Sequence, residues 1–313
     1  TSGGDAPGMN AAVRAVVRAA INKGHRLMGI RRGYEGLLNG ESEEMKLRSV
    51  SEIIHRGGTV LYTARCEEFK TEEGLRKGVE MCHKMGIDGL VVIGGDGSFK
   101  GARNLSNAGI PCIGIPGTID NDIASTEYTI GFDTAVNTVV ESVDRLRDTS
   151  QSHERCSVVE VMGRRAGHIA IYAGISCGAI ATLIPERPHD LDRDVVSRMR
   201  ATLKTGKHHF IVIVAEGVGN TQEICNYIQE KTGIETRLTV LGHVQRGGTP
   251  TAKEWVHASV MGVRAVELLE QGKGNRVVGI QNNRIVDYDI NEALDMVKDI
   301  DEYLYKVAYE ISI

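Results

Sequence analysis

The sequence predicts an α/β fold class: two doubly wound domains, each built on a largely parallel sheet. Three observations carry this reading. Continuous Val/Ile-rich runs recur at 27–30, 89–93, 110–115, 158–162, 179–184, 210–215 and 237–241, without the polar alternation of half-exposed strands. Helical patterns separate them, so each run is covered on both faces, which is the setting of parallel sheets. The third observation is length, because 313 residues overfill a single core, whereas two domains bury them comfortably.

Composition narrows the function. A hydrophobic share of 41% fills two such cores, and a net charge of -4 with no basic block announces no nucleic-acid partner. Local arginine clusters for small phosphates remain open. Cys66, Cys82, Cys112, Cys156, Cys177 and Cys225 lie far apart, without CxxC or the paired histidines of a zinc site. They read as reduced thiols of a cytoplasmic protein. The uncharged span 166–184 is broken by glycines and a central Ser-Cys-Gly, so it reads as a buried helix followed by a strand, not a membrane span.

The opening TSGGDAPGMN is a glycine turn leading into an amphipathic helix at about 7–23, with Met9, Val13, Val16, Val17 and Ile21 on its apolar side. A turn of this kind normally follows a strand, so one is expected before Thr1. Gly3, Gly4 and Gly8 let the backbone approach an anion at the helix start, although an ordinary strand-to-helix turn uses the same residues. Arg14 and Arg18, one turn apart, suit a solvated face or a shared anion.

After Val91-Val92-Ile93 comes Gly94-Gly95-Asp96-Gly97-Ser98 and then a helical pattern. Glycines at such a junction bring phosphate oxygens to backbone N–H groups, and Asp96 suits Mg²⁺ directly or through water. This points to a nucleotide or polyphosphate without naming the acceptor. The central stretch is 114–129, GIPGTIDNDIASTEYT. The run 113–115 reads as a strand end, Pro116 and Gly117 as the turn that follows, and Asp120 and Asp122 as a carboxylate pair on a loop at a strand's C-terminal end. Open α/β sheets bind ligands there, and one acid of such a pair acts as base while the other orients a donor or metal. An Asx-rich turn uses the same residue types. Three more strand ends carry polar groups: Met162-Gly163-Arg164-Arg165, Glu216-Gly217, and Gly242-His243-Val244-Gln245-Arg246. Jointly they favour an anionic, hydroxyl-rich ligand.

With SGGDAPGMNA at 2–11, RGGT at 56–59, TAR at 63–65, VVIGGDGS at 91–98, PGTIDNDI at 116–123, RDTSQSHER at 147–155, EVMGR at 160–164, AEG at 215–217 and LGHVQRGG at 241–248, the whole chain resembles the ATP-dependent 6-phosphofructokinases of the bacterial type. The resemblance implies transfer of the ATP γ-phosphate to the 1-hydroxyl of fructose 6-phosphate in glycolysis. Asp120 would take the hydroxyl proton, Thr118 and Asp122 would order the loop, and Arg65 and Arg164 would stabilise the transferring group. A loose phosphoryl transition state asks for this positioning and spread positive charge. ATP would lie on Gly4, Arg65, Cys66, Gly95, Asp96, Gly97, Ser98 and Gly101, with Asp96 holding Mg²⁺. The sugar phosphate would meet Met162, Gly163, Glu216, His243 and Arg246, with Arg155 and Arg237 reaching in from a neighbouring subunit of a homotetramer.

The same resemblance implies two similar domains with the active site in the cleft between them: 1–131 plus 245–295 for ATP, and 132–244 plus 296–313 for fructose 6-phosphate. A second phosphate site for ADP or phosphoenolpyruvate would use Arg14, Arg18, Ser51, Arg147 and Lys207. There the chain departs from the family, with Leu47 for a common Arg, Ile180 for an acid and Thr205 for a basic residue, which implies weak or altered control by ADP. Elsewhere His168 replaces an acid, Glu67 a proline and Ser125 a glycine, and Lys253-Glu254-Trp255 replaces a segment ending Asp-Arg. Losing a planar cation at Trp255 removes its salt bridges, so reduced stability or altered subunit contacts are expected there. A pyrophosphate-dependent relative typically carries Asp and Lys where this chain has Gly97 and Gly117, which favours ATP. A sugar-phosphate sensor without catalysis need not keep Asp120 and Asp96, and both are present.

Overall fold

The computed structural model describes residues 1–312. The chain forms two compact units, the first comprising Thr1–Ile119, Ile123–Thr134 and Arg246–Lys298, the second Asp120–Asp122, Ala135–Gln245 and the chain from Asp299 onward.

In the first unit, β1 (Met28–Ile30) pairs antiparallel with β2 (Ser42–Glu44). β3 (Leu90–Gly94) lies parallel to β4 (Cys112–Thr118), and β5 (Ile130–Gly131) joins the end of β4. The predicted turn at Pro116 is corrected here, because β4 runs on through Pro116 and Gly117 to Thr118. The pairing of β4 with β10 ends at Gly114 and the pairing with β5 begins at Gly117. Pro116 falls in that interval, where a residue without an N–H is tolerated in a strand.

The second unit holds β6 (Cys156–Val161), β7 (Ala181–Leu183), β8 (Phe210–Ala215) and β9 (Thr236–Val240), all parallel, in the order β7-β8-β6-β9. Phe210, Val212 and Val214 on one face of β8 pack with Val158, Ile180, Met199 and Ile228 in a single core. Span 166–184 is the helix His168–Ser176 followed by β7, with His168 buried. Among the described residues no helix is long and apolar enough to cross a membrane.

The chain returns to the first unit with β10 (Arg276–Gln281) and β11 (Arg284–Asp289), an antiparallel hairpin that completes the order β11-β10-β4-β3. Its two-residue turn is Asn282-Asn283, both with positive φ, as hairpin turns that follow the strand twist require. The helix Met9–Asn22 buries Met9, Val13, Val16, Val17 and Ala20 and crosses the helix Ala252–Glu270 so closely that a Cβ on Gly262 would sit 2.7 Å from Ala15.

Candidate functional site

In the first unit the predicted nucleotide segments are tied together by hydrogen bonds to backbone carbonyls. Ser2 donates its N–H to the carbonyl of Ile93 at 3.0 Å, and the Ser98 hydroxyl donates to the carbonyl of Ser2 at 2.9 Å. Gly3 donates to Ala64 at 3.2 Å while the Thr63 hydroxyl returns a bond to Gly3 at 2.9 Å. The glycine turn, the segment before Arg65 and the end of β3 therefore form one surface. Asn10, 1% exposed, steadies it by donating to Arg56 and Gly57 and accepting from Val60.

Asp96 and Gly97 are exposed at the start of the helix Asp96–Asn107, where N–H groups and the positive end of the helix favour phosphate. A Cβ on Gly95 or Gly97 would meet nothing within 4 Å, so the space over them is open. Gly101 is different. A Cβ there would lie 2.6 Å from the Tyr34 ring, whose hydroxyl donates to Ser98, so Gly101 serves helix packing. Gly117 is likewise a packing glycine, since its Cβ would come within 2.8 Å of Met9. Arg65 and half-buried Cys66 follow the strapped segment. Arg246 belongs to the first unit and donates to the Asp5 carbonyl at 3.1 Å, with Nη1 3.0 Å from where a Gly4 Cβ would stand.

The loop after β4 carries the carboxylates. The Thr118 carbonyl accepts from the Thr129 hydroxyl at 2.5 Å, which fixes the strand end. Asp120 is 7% exposed, Asp122 half-buried, and Asn121 between them has φ 53. A left-handed residue between two acids turns the chain sharply, and Asn tolerates that conformation best among residues with a side chain.

In the second unit the sugar-phosphate candidates gather at the C-terminal ends of adjacent strands. Val161 pairs with Ala215 and Glu160 with Val240, so Met162, Glu216 and Gly242 emerge side by side. Glu216 accepts the Arg164 N–H at 2.6 Å, and fully buried Gln245 accepts from Met162 N–H at 3.1 Å while donating to Gly242 at 3.0 Å. Arg164 has φ 61 and follows Gly163 with φ 144, a strained turn that throws the exposed guanidinium outward. His243 is exposed in the short helix Gly242–Arg246. Gln245 lies inside a recognised motif, yet nothing in its neighbours signals that it is the hub of these bonds.

Arg155 and Arg237 are not part of that group. They sit where β6 and β9 begin, and the six residues of β6 separate Arg155 from Met162, roughly 20 Å of strand. Both bind Glu235, Arg155 through Nε at 2.6 Å and Arg237 through Nε at 2.8 Å and through Nη2. Hydrogen bonds from the two guanidinia hold the Glu235 carboxyl below the usual range.

Of the effector candidates, Arg14 and Arg18 lie on the helix Met9–Asn22 and Ser51 bonds the Leu47 carbonyl at 3.5 Å, all in the first unit. Arg147 and Lys207 are in the second. Burial and the neighbouring Arg147 lower the Lys207 pKa, and burial with both cations lowers that of His209. His209 was not singled out from sequence, and its spacing from Lys207 was the available signal. Ile180 is 1% exposed in the core. Among the described residues no group of three or more His, Cys, Asp or Glu is arranged for a metal. Mg²⁺ normally takes one or two carboxylates and completes its shell with substrate phosphates and water, and the exposed Asp96 at its helix start could supply one.

The model of the family described as phosphofructokinase matches residues 1–269. The chain belongs to the phosphofructokinase family. It is 58% identical over 312 residues to an ATP-dependent 6-phosphofructokinase of Clostridium novyi, covering 100% of this chain and 98% of that protein. Its fold matches phosphofructokinase from Saccharomyces cerevisiae with a TM-score of 0.89 at 35% identity, covering all of this chain and 47% of that longer one. A pyrophosphate-dependent phosphofructokinase of Marinobacter aquaeolei matches with a TM-score of 0.86 at 22% identity over 96% of this chain and 84% of that one, a likeness of fold alone. Phosphofructokinase-family membership accords with the α/β two-domain architecture predicted from the Val/Ile runs.

Proposed function

We infer that this chain is an ATP-dependent 6-phosphofructokinase, moving the γ-phosphate of ATP to the 1-hydroxyl of fructose 6-phosphate in the cytoplasm. The observation that carries the reading is full-length identity of 58% to an ATP-dependent relative, together with open space above Gly97 where an aspartate would exclude nucleotide. The buried Gly117 adds to it, because a lysine there would displace Met9.

Asp120 accepts the proton of the 1-hydroxyl, and its burial shields the carboxylate from competing water. Thr118 and Asp122 keep the loop in place, while Arg65 and Arg164 spread positive charge over the transferring group. Bound at Asp96, Mg²⁺ supplies neutralising charge to the phosphates. Met162, Gly163, Glu216, His243 and Arg246 hold the sugar phosphate. Arg155 and Arg237, at the opposite end of the sheet, serve the site of another copy. The active form is therefore a homo-oligomer, a tetramer by the family pattern, with ADP and phosphoenolpyruvate as weak effectors.

The test is a coupled assay with fructose 6-phosphate and Mg²⁺, comparing ATP with pyrophosphate. Turnover with ATP and none with pyrophosphate is expected. The reverse would assign the pyrophosphate reaction, and neither would leave a sugar-phosphate sensor.

A further inference from the structure

Arg237 spends one edge of its guanidinium, Nε and Nη2, on Glu235 Oε1, while Arg155 Nε takes Oε2. Both oxygens of one carboxylate are thus clamped between two cations. The same Nε–Nη2 edge is the one that matches a phosphate bidentately. Backbone pairing fixes the arrangement, since Cys156 donates its N–H to the Glu235 carbonyl at 2.9 Å and Ser157 lies opposite Arg237. Glu235 is partly exposed, with a side-chain exposure of 41%, and the Arg237 side chain is 68% exposed. Exposed pairs of this kind contribute little to stability. Their geometry instead decides what an incoming anion finds.

We propose that Glu235 is a built-in competitor for the phosphate of the sugar substrate, occupying the guanidinium edges of Arg155 and Arg237 until the substrate of a neighbouring copy displaces it. This rests on the reading of both arginines as substrate ligands in a shared site. Glu235 touches no reacting atom and is a positioning residue. It holds both guanidinia on one carboxylate when no phosphate is present, and it sets the substrate concentration at which they are released. Removing its charge leaves both cations unopposed.

The experiment measures fructose 6-phosphate saturation at saturating ATP for the wild-type chain, Glu235→Gln, Glu235→Ala and Arg155→Ala. Both Glu235 variants are expected to lower half-saturation roughly fivefold or more, the size of a unit-charge interaction at contact distance in water, with kcat unchanged. A merely structural role for Glu235 would raise half-saturation or lower kcat, and either result, or no change in both variants, overturns the proposal. Arg155→Ala separates the two levels. If it leaves half-saturation unchanged, the arginine is not a substrate ligand and the shared-site reading fails. If it raises half-saturation while the Glu235 variants do nothing, only the competitor role fails.

Discussion

Thr134 donates its backbone N–H to the carboxylate of Glu254 at 3.3 Å, so a residue in the first turn of the helix Ala252–Glu270 caps the start of the helix Phe132–Ser152. The cap is reciprocal. Thr251, the N-cap of the later helix, donates its N–H to the Thr134 hydroxyl at 3.2 Å and its own hydroxyl to Asp133 at 2.6 Å. Two helix starts thereby satisfy each other's orphan donors.

Glu254 is 3% exposed, and burial pushes its pKa from 4.5 up to about 7 against the pull of the Gly131 and Thr134 N–H groups. Asp133 adds like charge, while Lys253 lies 3.6 Å from Asp133 and His257 is close to both. Folded Glu254 keeps its proton between 4.5 and about 7, whereas an unfolded glutamate has lost it. This contribution to stability is therefore full below 4.5 and is lost as pH rises through about 7. Glu254→Gln is expected to flatten that slope, worth up to roughly 3 kcal/mol across the window. Thermal unfolding between pH 5 and 8 checks it, and equal slopes in the two proteins would contradict it.

Gly97→Asp should fold as well as the wild type, since its Cβ meets nothing within 4 Å and an acid in a first helical turn is favourable. Its carboxylate would occupy the space assigned to the nucleotide. Tm within a few degrees of wild type and a KM for ATP raised at least about tenfold, a loss near 1.4 kcal/mol, are expected.

The fold class was legible because buried parallel strands are written as unbroken Val/Ile runs. The hairpin β10–β11 was missed although Asn282-Asn283 stood between two apolar segments, because its half-polar strands did not fit that pattern. Pro116 misled, since its missing N–H is harmless only where the pairing of β4 passes from β10 to β5. Candidate site residues were legible as strand-end motifs. Their supports, Gln245 and Asn10, are polar residues whose burial depends on contacts distant in sequence. Two residues before Trp255, Lys253 lies over the Tyr128 ring at 3.4 Å and near Asp133. Among the described residues the buried Trp255 Nε1 has no acceptor.

If Arg155 serves a neighbouring copy, mixing Arg155→Ala subunits with Asp120→Ala subunits should restore part of the activity that each has lost. Each hybrid contains some complete sites. Activity in exchanged mixtures, followed with a mass measurement that demonstrates exchange, checks this, and no recovery would contradict a shared site.

Control by ADP should be weak. Ile180 is buried in the core and Leu47 is exposed without charge at positions where the resemblance implies an acid and a cation, so Arg14, Arg18, Arg147 and Lys207 are left to attract a simpler anion. Each missing charge-assisted bond is worth roughly 1.5 to 3 kcal/mol. Saturation curves for fructose 6-phosphate should shift less than tenfold with ADP. A larger shift, reversed by phosphoenolpyruvate, would show an intact effector site.

Asp120, the proposed base for transfer to a sugar hydroxyl, is buried just beyond β4. The most direct measurement is kcat for Asp120→Ala and Asp120→Asn beside the dissociation constant for fructose 6-phosphate. Turnover should fall on the order of 100- to 10,000-fold while binding changes little. Turnover above roughly a tenth of wild type in the purified Asp120→Ala protein would contradict the assignment.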